Sequence, residues 1–277
     1  CIYCYARPYH EYLGLSAGLD FETRIFVKRN AAALLRAEFL KPSWRPSPVV
    51  LSGVTDPYQP VEIRLRVTRS VLEVFAEFRN PVAFITKNAL ICRDLDLLGE
   101  LARHGAAAAT FTIGMLDDEI RRRMEPRTST IDRRFDALAR LSAAGVRTAV
   151  NLAPVVPGLT DQDIPGIVQR ARDCGASRVN LIPVRLPGAV GGLFEQWLSD
   201  HFPGHKAKVL RRIKRMYGGS LDDPRNFFDR MKERSLLPDP IVQLFEVARL
   251  KAGFDTLEPV PLNRDAFARP GQTRALF

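Results

Sequence analysis

The chain has 277 residues, 46% hydrophobic and 26% charged, enough apolar material to bury a full core beneath a solvated surface. No stretch approaches the roughly 18 uninterrupted apolar residues of a membrane span; the nearest, residues 105–115, alternates and is too short, so no membrane partner is expected. A formal net charge of +10 suits a polyanionic partner without requiring one. Four cysteines are too few for a disulfide framework, so a reducing, cytoplasmic compartment is expected.

The chain opens on Cys1-Ile2-Tyr3-Cys4-Tyr5-Ala6-Arg7-Pro8, with no initiator Met and no apolar leader, and residues are expected upstream of Cys1. Spacing alone leaves two readings of the cysteine pair, half of a zinc site or a redox pair. Zinc needs two further ligands, and His10, His104, His201 and His205 are scattered. The other cysteines, Cys92 and Cys174, lie in helix-like segments and are expected to be small buried hydrophobes.

Apolar runs of strand length follow at residues 49–51, 82–86, 108–113, 146–154 and 178–184, separated by segments of helical period at 63–78, 89–104, 117–124, 131–144 and 162–174. Gly105, Gly145 and Gly175 stand just past three of these helices, where a left-handed residue closes the last turn. Strands alternating with helices predict a parallel sheet, because right-handed crossovers place the helices on its faces. Five such strands, with a sixth expected before the cysteine pair, fall short of a full eight-stranded barrel. The expected fold is therefore α/β, an open partial (β/α)6 barrel over residues 1–187. Residues 188–277 read as a helical and irregular, charge-rich extension packing on that core.

In such sheets ligands bind beyond the C-terminal ends of the strands, which directs attention to the residues after each run. Ser52, Thr55 and Asp56 leave the first strand in a Pro-bounded loop, as ligands for a nucleotide-like cofactor or as a capped turn. Lys87 follows the second strand, where an ammonium can neutralise a carboxylate. Thr112 ends the third, Glu125-Pro126 separates two helices, and Asn151 to Pro154 ends the fourth. Concentrated positive charge lies at Arg121-Arg122-Arg123, at Arg133-Arg134 and over residues 206–215. In the last, Lys208, Arg211, Arg212 and Arg215 share one helix face, a solvated surface or a phosphate-contacting one.

Taken together, the aromatic before Cys4, Tyr-Ala-Arg after it, and the ordered segments 52–62, 85–88, 110–112, 125–127, 151–161 and 183–187 resemble the radical S-adenosylmethionine superfamily, in its spore photoproduct lyase-like (DNA repair photolyase-type) branch. The pair then corresponds to the last two cysteines of a C-x3-C-x2-C motif, whose first would lie four positions upstream of Cys1. The resemblance implies a [4Fe–4S] cluster bound by Cys1 and Cys4 with that third thiolate, soft sulfur donors being suited to iron–sulfur sites. It also implies S-adenosyl-L-methionine on the fourth iron, an external one-electron donor such as flavodoxin or ferredoxin, and a 5′-deoxyadenosyl radical that abstracts hydrogen from a substrate.

For individual residues the resemblance implies that Tyr3 shields the cluster or packs the adenine, and that Ser52, Thr55 and Asp56 meet the amino end or ribose. Lys87 would reach the carboxylate, Thr112 the ribose and methionyl groups, Glu125 would help position the cofactor, and Asn151 to Pro154 would stack on adenine; Arg134, facing the same helix start as Glu125, would reach either that carboxylate or only water. Capping and helix punctuation around Pro126, Ser129 and Thr130 explain part of the pattern without any ligand. Val54 stands where a hydrogen-donating cysteine would be sought, so the chain carries no sign of that thiol. A nucleic-acid lesion or base is the substrate suggested by analogy, radical modification of a peptide or small molecule is an alternative, and a non-catalytic zinc-holding nucleic-acid-binding protein is a reading of another class.

Overall fold

A computed structural model describes residues 1–223, 225, 238–254 and 260–271, and the remainder of the C-terminal extension lies outside the described residues. Five strands, β1 (Val49–Leu51), β2 (Val82–Thr86), β3 (Ala107–Thr112), β4 (Arg147–Val155) and β5 (Arg178–Pro183), form one sheet in sequence order, every neighbouring pair parallel. This is the expected α/β partial barrel. Among the described residues the sheet has five strands, and no sixth is present.

Each crossover carries helices. Two short helices, α1 (Leu19–Thr23) and α2 (Ala31–Leu40), precede β1; α3 (Glu62–Leu65) and α4 (Val67–Phe78) follow it, and α5 (Leu95–Arg103) follows β2. Next come α6 (Asp118–Met124) and α7 (Ile131–Ala143) after β3, and α8 (Ile164–Asp173) after β4. Beyond β5 lie α9 (Val190–His201), α10 (Pro203–Met216) and α11 (Asp239–Lys251), with α10 packed on α9 and α11 on α8. Gly105, Gly145 and Gly175 take φ of 66°, 79° and 85°, the left-handed closure that glycine makes without a Cβ clash.

Two predicted helices are interrupted, each by a side chain competing for backbone donors. The 63–78 segment breaks at Arg66, φ 52°, where the buried Glu62 carboxylate accepts from the Thr68 N–H at 3.0 Å and from Arg93 at 3.0 Å. The 89–104 segment begins as a 3-10 turn, Ala89–Asp94, opened by Asn88 accepting from the Leu90 N–H at 3.0 Å. Short polar side chains capture the first free N–H groups of a helix in this way.

The alternation of side chains along the strands decides where a ligand fits. Val82, Phe84, Ala107, Ala109, Phe111, Val150 and Val179 are buried under the helices. The opposite face carries Ala83 beside Ala108, Thr110 beside Ala149, and Thr112, Asn151 and Asn180 in one cross-strand row. Small and polar residues on one face of a curved sheet leave room inside it, where large aliphatic side chains would fill the space.

Candidate functional site

The cysteine pair lies on a tight turn, the Cys4 N–H donating to the Cys1 carbonyl at 3.3 Å. Both thiols are free and half-buried. Arg7, 2% exposed, holds the turn from below: its Nε donates to the Cys1 carbonyl at 3.1 Å and its Nη1 to the Ala17 carbonyl at 2.9 Å, while Nη2 pairs with Glu22 at 2.5 Å. Its role is set by carbonyls that the folded turn aims inward.

Tyr3 projects from the same turn into the protein, and its hydroxyl donates to Glu125 Oε1. Glu125 and Arg134 are both fully buried and paired at 2.5 Å. The Arg134 guanidinium is held on all three nitrogens by protein: besides Glu125 it donates to the Thr112 carbonyl at 2.9 Å, the Ser129 carbonyl at 2.9 Å and the Thr128 hydroxyl. Burial alone pushes the Glu125 carboxyl up, but Arg134, then the Lys87 ammonium and the Tyr3 hydroxyl, outweigh it and hold the carboxyl below its usual value. Burial, reinforced by the Glu125 charge, raises the Tyr3 phenol well above its ordinary range. A neutral phenol thus donates to an ionised carboxylate. Glu125 and Arg134 hold Tyr3 and the end of β3, and neither presents a free charge to a ligand.

Asp56 likewise acts within the protein. Its carboxylate accepts from the Thr86 hydroxyl at 2.7 Å, the Lys87 N–H at 2.8 Å and the Tyr58 N–H at 2.9 Å, joining the β1 loop to the end of β2. On the other side the Lys87 carbonyl accepts from the Ser129 N–H at 3.2 Å. With its main chain clamped twice, Lys87 holds its ammonium 5.6 Å from the centre of the Tyr3 ring, a cation–π contact. The Tyr5 hydroxyl donates to the Gly53 carbonyl, bringing the β1 loop against the cysteine turn.

The remaining groups stay open. Among the described residues the side chains of Ser52, Thr55 and Thr112 make no hydrogen bond within the protein, and the Lys87 ammonium makes no ion pair. Thr112 sits beside Asn151 in the β3–β4 register, and Asn151 Oδ1 accepts from Asn180 at 2.8 Å. Pro154 follows Ala153 through a cis peptide, and the end of β3 closes on this segment. A Cβ on Gly114 would lie 2.8 Å from the Ala153 carbonyl, an approach open only to glycine. Sequence reasoning gave no role to Arg7, Asn88, Gly114 or Asn180; an asparagine within the 178–184 run was the signal for the last.

The predicted residues therefore gather at one end of the sheet in two sets, bound and unbound. The family profile described as the Radical SAM superfamily matches residues 1–171. The chain belongs to the radical SAM superfamily. An uncharacterized protein of Mycobacterium tuberculosis is 34% identical over 236 residues, 84% of this chain and 68% of the relative. The radical SAM Nalpha-GlyT isomerase of Pseudomonas phage M6 is 27% identical over 129 residues, 46% of this chain and 26% of the relative. Among solved structures the fold is similar to spore photoproduct lyase, with a TM-score of 0.53 for a single-residue mutant of that enzyme at 14% identity, covering 91% of this chain and 69% of that one. The chain covers 57% to 69% of the length of the lyase chains it matches.

Two half-buried thiols on one turn, neither in a disulfide, fit the soft donors that an iron–sulfur cluster takes. Among the described residues no group of three or more His, Cys, Asp or Glu side chains is assembled for a metal. Among the same residues no helix is long and apolar enough to cross a membrane.

Proposed function

We propose that this chain is the core of an enzyme in which Cys1 and Cys4, with a third thiolate upstream, hold a [4Fe–4S] cluster and the strand ends bind S-adenosylmethionine. Bound together, the two cofactors supply reductive cleavage of the sulfonium to methionine and a 5′-deoxyadenosyl radical that takes hydrogen from the substrate, with the electron coming from a carrier such as flavodoxin or ferredoxin. The observation that carries this reading is the Lys87 ammonium, held over the Tyr3 ring of the cysteine turn with no ion pair among the described residues. A cation without a counter-charge, with the Ser52, Thr55 and Thr112 hydroxyls at the ends of β1 and β3 on either side of β2, suits the carboxylate, amino and ribose groups of a nucleoside-linked amino acid.

In this reading Tyr3, Glu125 and Arg134 are positioning residues. They fix the height of the cysteine turn above β3, while Asp56 and Ser129 fix Lys87. Asn151, the following Ala153–Pro154 backbone and Asn180 line the adenine side. For the substrate, the net charge of +10 favours a nucleic-acid base or lesion over a peptide or small molecule, in keeping with the lyase whose fold is shared.

The test uses protein carrying the cysteine expected upstream, reconstituted anaerobically with iron and sulfide. The reduced cluster should give an electron paramagnetic resonance signal that changes when S-adenosylmethionine is added, and Lys87→Met should weaken that response at least tenfold in ligand concentration. A cluster whose signal ignores S-adenosylmethionine contradicts the proposal. Preferential loading with zinc through Cys1 and Cys4 would move the non-catalytic reading to the front.

A further inference from the structure

The three concentrations of basic residues have different fates in the fold. In α6, Arg121 pairs with Asp118 at 2.8 Å, Arg123 with Glu119 at 2.6 Å, and Arg122 also with Glu119. Arg134 is buried against Glu125. Helix α10 instead carries Lys206, Lys208, Arg211, Arg212, Lys214 and Arg215 with no carboxylate of its own. Lys206 pairs with Glu195 at 3.2 Å and Arg212 meets Asp161 at 3.4 Å. Among the described residues Lys208, Arg211, Lys214 and Arg215 have no ionic partner, and all four are exposed.

Geometry turns these charges into a surface. At 3.6 residues per turn, Lys208, Arg211, Arg212 and Arg215 fall within an arc of about 100° and extend about 10 Å along the axis. Val209, Leu210 and Ile213, on the other side, are buried in the protein. The helix is fastened to the ligand end of the sheet. The Cβ position of Gly158, in the loop leaving β4, lies 3.2 Å from Arg212 Nη1 and 3.4 Å from Lys208 Cε. At its far end Tyr217 donates to the Val184 carbonyl, just past β5, at 2.7 Å.

We infer that the exposed cationic face of α10 is a nucleic-acid backbone site that lays a strand across the rim of the barrel beside the Gly158 loop after β4. Unpaired cations spaced over two turns match a run of phosphates, whose binding is driven by counterion release. An anionic membrane fits less well, because an interfacial helix must insert its apolar side and that side of α10 is already buried in the fold. That the bound strand carries the substrate rests on the function proposed above; the binding itself does not.

The experiment is fluorescence anisotropy of labelled 20-nucleotide single-stranded and duplex DNA and RNA, with poly-glutamate and phosphatidylserine vesicles as other polyanions. The triple variant Lys208→Glu/Arg211→Glu/Arg215→Glu is compared with Arg45→Glu/Arg79→Glu/Arg103→Glu, which changes net charge equally near the opposite end of the sheet. Nucleic acid should bind with a steep salt dependence. The α10 variant should lose at least tenfold in affinity, with its log–log salt slope shallower by about 2 to 3, while its circular dichroism, its melting temperature and its response to S-adenosylmethionine stay unchanged. The control variant should lose less than threefold. Equal losses in both variants, no nucleic-acid binding, or equal affinity for poly-glutamate or vesicles would overturn the inference. Failure of cofactor cleavage with this binding intact would count only against the proposed enzyme.

Discussion

The two walls of the site are built on opposite principles. On the β3 side, Tyr3, Glu125, Arg134 and the Thr112 carbonyl form a buried chain in which every charge is met by protein. On the β1 side, Ser52 and Thr55 leave the sheet in a loop that is half-buried to exposed, and their hydroxyls have no protein partner among the described residues. Lys87 belongs to both walls, its backbone clamped and its ammonium free of any ion pair. Groups already satisfied hold geometry. Groups left unsatisfied at a strand end are available to a ligand.

That division can be broken most severely from the buried wall. Glu125→Ala strands the Arg134 guanidinium without its counter-charge and should cost about 3–5 kcal/mol of stability, measured by denaturant unfolding. Acid should reproduce part of this loss. Because the folded Glu125 carboxyl lies below its ordinary value, its contribution is complete at neutral pH and fades as the pH falls through the carboxylate range. In Glu125→Gln the acid-dependent part of the loss should shrink.

Smaller effects are expected where a single donor or hydroxyl is removed. Tyr3→Phe leaves one carboxylate oxygen of Glu125 without its donor and should cost about 1–3 kcal/mol, while the half-buried thiols remain accessible to alkylation. At the open wall, Ser52→Ala with Thr55→Val should change stability by no more than about 0.5 kcal/mol, yet weaken S-adenosylmethionine binding several-fold by calorimetry. If the double variant unfolds the protein as Glu125→Ala does, the two walls are not distinct.

The parallel sheet, the glycine closures and the strand ends were legible because they depend on local pattern: short apolar runs of strand length, helices of 3.6-residue period, and glycine where φ turns positive. The gathering of Tyr3, Ser52, Asp56, Lys87, Thr112 and Asn151 at one end follows from that topology. What the pattern could not show is which charges are spent inside. Tyr3 and Glu125 are separated by 122 positions, and nothing near Arg134 in sequence marks it as buried. Asp56 reads as a cofactor ligand until its three protein donors are seen. The broken helices at Arg66 and Asn88 were hidden for a related reason: side-chain capture of a backbone N–H depends on where the chain already stands.

The central claim is that the cysteine turn and the open wall together serve reductive cleavage of S-adenosylmethionine. The most direct measurement is 5′-deoxyadenosine formed anaerobically with dithionite by protein that includes the upstream cysteine. Formation at many times the rate of the protein-free control, abolished in Cys1→Ala and Cys4→Ala and retained in the α10 charge-reversal variant, is the predicted result. A fully loaded [4Fe–4S] protein that releases no 5′-deoxyadenosine, or releases it equally without Cys1 and Cys4, would contradict the account.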